Sequence, residues 1–228
     1  SAVSLVGGGT YPNPGEISLA HRGVLFLDEF AEFPRNVLEN LRQPLEDGVI
    51  TVSRAKGSLE FPARFILIAA MNPCLCGNAT DPEKLCSCTP SQIIKYQRKI
   101  SGPIMDRIDL HVEVPRLKFE KLEESNSGES SSDIRKRVES ARDVQKKRFM
   151  NIPIITNSEM SSNQIRKFCA LDEKCVELLR SAVSTMRLSA RAYHRIIKIA
   201  RTIADLAGLE EIAPAHIAEA VQYRFKSV

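Results

Sequence analysis

The sequence predicts an α/β domain with a mostly parallel sheet, followed by a small all-α domain. Two short apolar runs, at 24–27 and 65–70, alternate along the chain with segments of helical periodicity, a pattern typical of parallel sheets. After a polar stretch rich in Ser, Glu and Gly at 121–132, almost every segment has helical spacing. We therefore expect a first domain over residues 1–120, a linker at 121–132 and a helical domain over 133–228.

The first domain is predicted to begin with a loop or hairpin, because residues 1–16 are rich in Gly and Pro. The run at 24–27 then indicates a buried parallel strand. Apolar residues at helical spacing predict a helix over 34–46, and Pro34 suits its first turn. Gly48 is expected to end that helix.

The rest of the first domain is predicted to be a hairpin, a strand, a helix and a third strand. Runs at 49–52 and 59–61 flank the basic tip Arg54-Ala55-Lys56-Gly57, which is typical of a β-hairpin. A second buried strand is expected at 65–70 and a helix at 91–106. The partly alternating segment 109–114 predicts the third strand.

The second domain is expected to be a helical bundle. Its first helix is indicated by the spacing of Ile134, Val138, Ala141 and Val144. Four more helices are predicted at 163–171, 173–186, 191–206 and 214–221.

Composition narrows the class of protein. The 228 residues have a formal charge of +4 and are 43% apolar, as in an ordinary globular protein. No run of about 18 apolar residues occurs, which argues against a membrane-spanning helix. The chain starts at Ser1 with neither a signal nor a transit peptide, so we expect a piece of a longer cytoplasmic protein.

Two acidic residues directly follow the first apolar strand. Parallel sheets place their ligands at the carboxyl ends of the strands, so Asp28 and Glu29 are expected where a ligand would sit. Nucleotide hydrolysis needs one carboxylate to hold Mg²⁺ and a second group to activate the attacking water. Asn72, after the second strand, could orient that water. The alternatives are acids that cap the next helix and a turn Asn before Pro73.

Four of the six cysteines lie close together in the sequence. Cys74-x-Cys76 and Cys86-x-Cys88 could provide the four thiolates of a tetrahedral Zn²⁺ site. Such a metal would be structural and would hold a loop that has few apolar residues of its own. Disulfides and free thiols are the alternatives in this pattern.

Four segments of the sequence form an ordered set of motifs. They are VLFLDEF at 24–30, FILIAAMNP at 65–73, GPIMDRIDLHVEV at 102–114 and LSARAYHRIIKIARTIADL at 188–206. In this order they resemble the Walker B, sensor 1, arginine-finger and sensor 2 regions of the AAA+ ATPases of the helix-2-insert clade, which includes magnesium chelatase and the MCM helicases. The segment GGGTYPNPGEISLAHRGVLFLDE and the paired cysteines after MNP narrow the resemblance to the magnesium-chelatase-like ComM/YifB family, and it extends over residues 1–226.

The resemblance implies a role for each candidate residue. Glu29 would be the catalytic carboxylate, Asp28 the Mg²⁺ ligand and Asn72 the sensor 1 residue. Arg107 would reach the γ-phosphate bound by a neighbouring subunit; the alternative is an intramolecular ion pair with Asp106 or Asp109. Two further arginines would contact nucleotide from the helical lid, unless they are solvated helix cations: Arg191 and Arg195.

The resemblance also implies a ring, with a hexamer expected, and ATP with Mg²⁺ as cofactors. In the wider clade the hairpin points into the ring pore, so Arg54 and Lys56 would contact a DNA backbone, unless their charges are simply solvated. Branch migration or helicase-type remodelling of DNA is the function expected. The alternatives are a chelatase subunit that drives Mg²⁺ insertion into a porphyrin and a non-catalytic zinc-stabilised module.

One motif of the family does not occur in the sequence. The phosphate loop G-x-x-x-x-G-K-[ST] requires a Gly-Lys pair, and the 228 residues contain none. In the family this loop lies upstream of Walker B. We therefore expect the chain to contain only part of the ATPase core and to hydrolyse ATP poorly by itself.

Overall fold

The computed structural model describes residues 2–9, 11–54, 57–115 and 128–224. The chain divides into two compact units. The first comprises Ser1–Ile108 and Val114–Arg116, and the second comprises Asp109–Glu113 and Leu117–Val228. The predicted linker at 121–132 lies mostly outside the described residues.

The first unit begins with a short helix and a small hairpin. Helix α1 spans Ala2–Val6, and strands β1 (Gly7–Gly8) and β2 (Asn13–Pro14) pair antiparallel. The hairpin was predicted, but the helix within residues 1–16 was not. Helix α2 (Glu16–Leu19) follows, and its Ile17 is completely buried.

The described residues of the first unit form three two-stranded sheets, one of them parallel. Strand β3 (Val24–Leu27) pairs with β6 (Ile66–Ala69), from Val24 opposite Ile66 to Leu27 opposite Ala69. The parallel pairing confirms the α/β class. Strands β4 (Val49–Arg54) and β5 (Gly57–Pro62) form the predicted antiparallel hairpin.

The prediction that β3 and β6 are buried on both faces is wrong for the described chain. Leu25 and Leu27 are buried, whereas Val24 and Phe26 are 54% and 60% exposed. On β6, Ile66 and Ile68 are about half exposed. Continuous apolar runs are typical of strands covered on both sides, but the described residues leave this second face about half exposed.

Two helices predicted as continuous are each divided in two by a proline. The predicted helix 34–46 is α3 (Arg35–Glu39) and α4 (Arg42–Asp47), and 91–106 is α5 (Pro90–Gln97) and α6 (Gly102–Met105). A proline ring clashes with the carbonyl four residues earlier and provides no N–H to bond it. Each second helix therefore starts just before its proline, which is Pro44 in α4 and Pro103 in α6. Gly48 ends α4 with φ +70°, as predicted.

The predicted third strand at 109–114 is wrong. These residues have irregular backbone, and the N–H of His111 donates to the carbonyl of Tyr223 at 2.8 Å. Val112 and Val114 are 66% and 86% exposed. The apolar residues that alternate along this segment therefore do not face a buried surface, and no described strand pairs with the segment.

The second unit is helical, as predicted. The core of this unit includes the buried residues Phe149, Leu179, Ile196 and Ile217. Phe149 directly follows the first helix, and the other three residues lie on later helices. No helix in the described ranges is long and apolar enough to cross a membrane. The α-helices in the described part of this unit are α7 (Ser131–Arg148), α8 (Ser162–Phe168), α9 (Glu173–Met186), α10 (Ala190–Leu206) and α11 (Pro214–Gln222).

Candidate active site

The parallel pair brings the candidate acidic residues and Asn72 to one edge of the sheet. Beyond the ladder, the N–H of Ala70 donates to the Leu27 carbonyl at 3.0 Å, and the N–H of Phe30 donates to the Ala70 carbonyl at 2.9 Å. The backbone bonds therefore continue on both sides of Asp28 and Glu29. All three candidate side chains, including Asn72, are exposed.

Glu29 has an unusual backbone conformation. Its φ and ψ are +50° and +42°, in the left-handed region, which costs a residue with a Cβ about 1–2 kcal/mol. The Glu29 N–H donates to Oδ1 of Asp28 at 2.8 Å. Strained residues of this kind persist only where the surrounding structure holds them in place, and they are frequent at functional sites.

The chemistry of this edge fits a hydrated divalent cation. Mg²⁺ is usually bound by one or two carboxylates together with water and substrate phosphates, and the exposed Asp28 and Glu29 leave room for both. A carboxylate can also accept a proton from water, and the Asn72 amide can hydrogen-bond to water or a phosphate oxygen. The edge therefore has the groups that nucleotide hydrolysis requires, except those that hold the phosphates.

The four clustered cysteines are brought together immediately after β6. Sγ of Cys74 lies 3.4 Å from that of Cys76 and 3.7 Å from that of Cys86, and Cys76 and Cys86 are 3.5 Å apart. All four Sγ atoms, including that of Cys88, lie within 4.8 Å of one another. Tetrahedral Zn–S bonds of about 2.3 Å give sulfur separations of about 3.8 Å. The cluster therefore fits a zinc ion.

The cluster thiols have unequal proton affinities. Hydrogen bonds from the backbone of Asn78 and from Ser87 lower the pKa of Cys76 to about 5. The backbone of Cys88 lowers the pKa of Cys86, but desolvation and the neighbouring thiols outweigh it and raise that pKa to about 12. Four sulfurs this close repel one another as thiolates, and a bound cation would remove that repulsion.

Contacts from α5 connect the cysteine cluster with the acidic edge. Nε2 of Gln97 donates to the carbonyl of Pro73, between Asn72 and the buried Cys74. Burial, followed by the charge of Glu32, raises the pKa of Tyr96, and both Cys74 and Glu29 contribute to the rise. The Gln97 hydrogen bond thus connects α5 to the backbone just before the cysteine cluster.

Arg107 is engaged within its own chain. Its Nε donates to Oε2 of Glu46 at 3.1 Å, Nη2 pairs with the same oxygen, and Nη1 donates to the Pro103 carbonyl at 2.6 Å. The alternatives considered from the sequence were Asp106 and Asp109, so Glu46 was missed. The two residues are 61 positions apart, and no local pattern links them.

The two arginines expected to contact nucleotide from a lid lie on α10 in the second unit. Arg191 is exposed in the first turn. Arg195, one turn later, pairs with Asp109, and its side chain is 18% exposed. This ion pair also was not predicted from the sequence.

The hairpin cations can be located only in part. Arg54 is the last residue of β4, opposite Gly57; its side chain lies outside the described part of the structure, and so does Lys56. The structure contains the predicted hairpin. The DNA-contacting role of Arg54 and Lys56 stays a prediction.

Comparison with known proteins identifies the family. Residues 1–122 match the family described as magnesium chelatase, subunit ChlI, and residues 128–224 match its C-terminal family. The chain is 48% identical over 225 residues to the competence protein ComM of Haemophilus influenzae and 43% identical to YifB of Escherichia coli. It is also 22% identical over 235 residues to the DNA replication licensing factor mcm-6 of Caenorhabditis briggsae.

These matches differ in how much of each relative they cover. About 98% of the chain aligns with ComM and YifB, but it spans only 43% of the length of each; the mcm-6 match covers 94% of the chain and 26% of the relative. The resemblance to ComM and YifB is confirmed. The chain therefore belongs to the magnesium chelatase ChlI family, which is of the AAA+ ATPase type.

Proposed function

We propose that the chain provides the hydrolytic edge of an ATP-driven AAA+ motor. The proposal rests on Asp28, Glu29 and Asn72, which lie exposed at the end of paired parallel strands, with the Glu29 backbone held in a strained conformation. In this assignment Asp28 holds Mg²⁺, Glu29 accepts a proton from the attacking water, and Asn72 orients that water. When bound, Mg²⁺ neutralises charge on the phosphates.

The same proposal assigns nucleotide-contacting roles to three arginines. Arg107 would contact the γ-phosphate bound by the neighbouring subunit of a ring, with a hexamer as the expected assembly. Such fingers contribute roughly 10³–10⁵ in rate because they neutralise the charge of the transition state. Arg191 and Arg195 would connect the bound nucleotide to movement of the second unit, which would serve as a lid.

The cysteine cluster would be a structural zinc site in this protein. Cys74, Cys76, Cys86 and Cys88 would be its ligands, and the metal would fix the loop that follows Asn72. Zinc bound by four thiolates has no open position for substrate. It therefore has no direct part in hydrolysis.

The hydrolysis test compares two acids of the first unit in the protein at its full natural length. The G-x-x-x-x-G-K-[ST] pattern does not occur in the 228 residues, so we expect little hydrolysis from this chain alone. Glu29→Gln should retain ATP binding and lose most turnover, roughly 10²-fold or more, because an amide accepts no proton. The control is Glu32→Gln, which alters an exposed acid that is paired with Lys99 at 2.8 Å.

Each outcome of this comparison has a clear meaning. Loss of turnover in Glu29→Gln alone would support the assignment. Unchanged turnover in Glu29→Gln would remove Glu29 from catalysis, and equal losses in both variants would indicate a general disturbance of the unit.

We further propose that the motor acts on DNA, in branch migration or helicase-type remodelling. The support is the β4–β5 hairpin, whose turn sequence includes the cations Arg54 and Lys56, together with two relatives whose names refer to competence and to DNA replication licensing. Two cations per subunit become twelve in a hexamer, a strong field for a phosphate backbone.

The DNA proposal is tested by removing both tip charges. Arg54→Ala with Lys56→Ala should weaken binding of all DNA sequences and reduce the salt slope by about 1 for each phosphate that is no longer neutralised. The control is Arg166→Ala with Lys167→Ala, which removes two exposed cations of α8. If the Arg54/Lys56 double variant binds DNA as tightly as the control variant and with the same salt slope, DNA binds to another surface or is not a ligand of this protein.

A chelatase-type ATPase subunit is the second candidate, because the family is named for that activity. The cysteine cluster argues against it, since a chelatase ATPase subunit is not expected to contain such a cluster. ATP turnover stimulated by DNA would favour the DNA motor. Turnover unaffected by DNA but coupled to Mg²⁺ insertion into a porphyrin would favour the chelatase.

A further inference from the structure

The ion pair between Arg107 and Glu46 joins two segments of the first unit. Glu46 lies near the end of α4, and Arg107 follows α6. The guanidinium uses Nε and Nη2 on one Glu46 oxygen and Nη1 on the Pro103 carbonyl. Three nitrogens of a single side chain are therefore held by two fixed acceptors.

The burial of Arg107 makes this pairing important for its position. Its side chain is only 9% exposed, whereas that of Glu46 is 37% exposed. If the Glu46 carboxylate were removed, the Arg107 guanidinium would be a nearly buried cation without that negative charge. A buried charge that loses its partner strongly destabilises the fold. An arginine side chain also has many rotamers, which multiple hydrogen bonds reduce to one. Glu46 thus restricts where the Arg107 charge can be.

We propose that Glu46 is a positioning residue for Arg107: it holds the guanidinium in the place from which it meets a neighbour's phosphate. This inference rests on the proposed function, in which Arg107 acts across subunits. Displacement of a catalytic group by about 1 Å can cost about 10²-fold in rate. The ion pair therefore matters for turnover through Arg107 and not through any contact of Glu46 with nucleotide.

The test is a double-mutant cycle on ATP turnover by the full natural-length protein. Glu46→Ala should lower kcat about 10- to 100-fold with KM for ATP within about twofold, since transition-state stabilisation alone is reduced. Glu46→Gln, which keeps an acceptor but not the charge, should lose less and serves if the alanine variant does not fold. In an Arg107→Ala background, Glu46→Ala should have no further effect, because the two residues act as one unit. Asp47→Ala, the neighbouring acid of α4, is the control and should leave kcat unchanged.

Mixed assemblies distinguish positioning of Arg107 from a general structural role. Glu46→Ala protein mixed with Glu29→Gln protein should recover part of the turnover, because some interfaces then combine an intact Glu29 with a correctly held Arg107. Co-purification confirms that both variants enter one ring. A wild-type rate for Glu46→Ala, losses that add to those of Arg107→Ala, or no recovery in proven mixed rings would each overturn the proposal. Absence of turnover in the wild-type protein would instead refute the proposed function.

Discussion

The buried Asp205 network of the second unit and the exposed acidic edge of the first unit use their charged groups in opposite ways. In the second unit, the Asp205 side chain is completely buried and accepts hydrogen bonds from Arg148, Arg201 and Asn157 at 2.5–3.1 Å. Arg201 also donates to the carbonyls of Leu209 and Glu210. In the first unit, Asp28 and Glu29 are exposed, and Asp28 accepts a hydrogen bond from the backbone N–H of Glu29.

This difference separates charges that hold the fold from charges open to a ligand. A buried carboxylate enclosed by two guanidinium groups has its hydrogen-bonding capacity used within the unit. Exposed carboxylates at the end of a parallel pair, one of them in a strained backbone, keep their oxygens accessible. We therefore expect substitutions of Asp205 to affect stability, and substitutions of Asp28 and Glu29 to affect activity.

The largest stability effect should come from Asp205→Ala. The change leaves Arg148 and Arg201 without their shared carboxylate in a buried place, so we expect unfolding of the second unit to become easier by about 3–5 kcal/mol. Urea unfolding followed by circular dichroism measures it. Asp143→Ala, an exposed acid of α7, is the control and should change stability by about 0.5 kcal/mol or less. A loss of only that size in Asp205→Ala would mean that the network does not hold the unit.

The cysteine cluster should give the next largest effect. Its four thiols are buried or half-buried and lie close enough together to share one cation. We expect about one Zn²⁺ per chain by metal analysis of protein purified without added zinc under reducing conditions. Cys86→Ser with Cys88→Ser should abolish metal binding and cost about 2–3 kcal/mol, because the loop is then no longer cross-linked.

The control for the cluster is Cys169→Ser in the second unit. Cys169 is buried among apolar residues, and the change should cost less than the double substitution in the cluster without altering the metal content. Metal-free wild-type protein, or a larger loss of stability from Cys169→Ser, would contradict the zinc assignment.

Local sequence patterns predicted most of the elements and the acidic edge. The helix at Glu173–Met186 matches its prediction at both ends, since Asp172 caps it and accepts from the N–H of Cys175. The hairpin and the parallel pair were also expected. The helix and the hairpin depend on residues close together in the sequence. The parallel pair joins distant residues, but each of its strands is indicated by its own apolar run.

The features that were not predicted are of two kinds. Pro44 and Pro103 divide helices that periodicity alone makes continuous, and these prolines are local signals that a prediction from periodicity alone leaves out. The pairs of Arg107 with Glu46 and of Arg195 with Asp109 join residues 61 and 86 positions apart. The segment 109–114 alternates in part but has no buried face, and only the surrounding structure decides that.

The conformation of Glu29 allows the most direct test of the central claim, which is that this residue serves activity and not stability. Glycine adopts positive φ without the cost of a Cβ, although its freer unfolded state offsets part of the gain. Glu29→Gly in the full natural-length protein should therefore leave the free energy of unfolding unchanged or raise it by up to about 1 kcal/mol. ATP turnover, measured on the same sample, should be nearly abolished. Retained turnover, or a loss of stability greater than about 1 kcal/mol, would contradict the account.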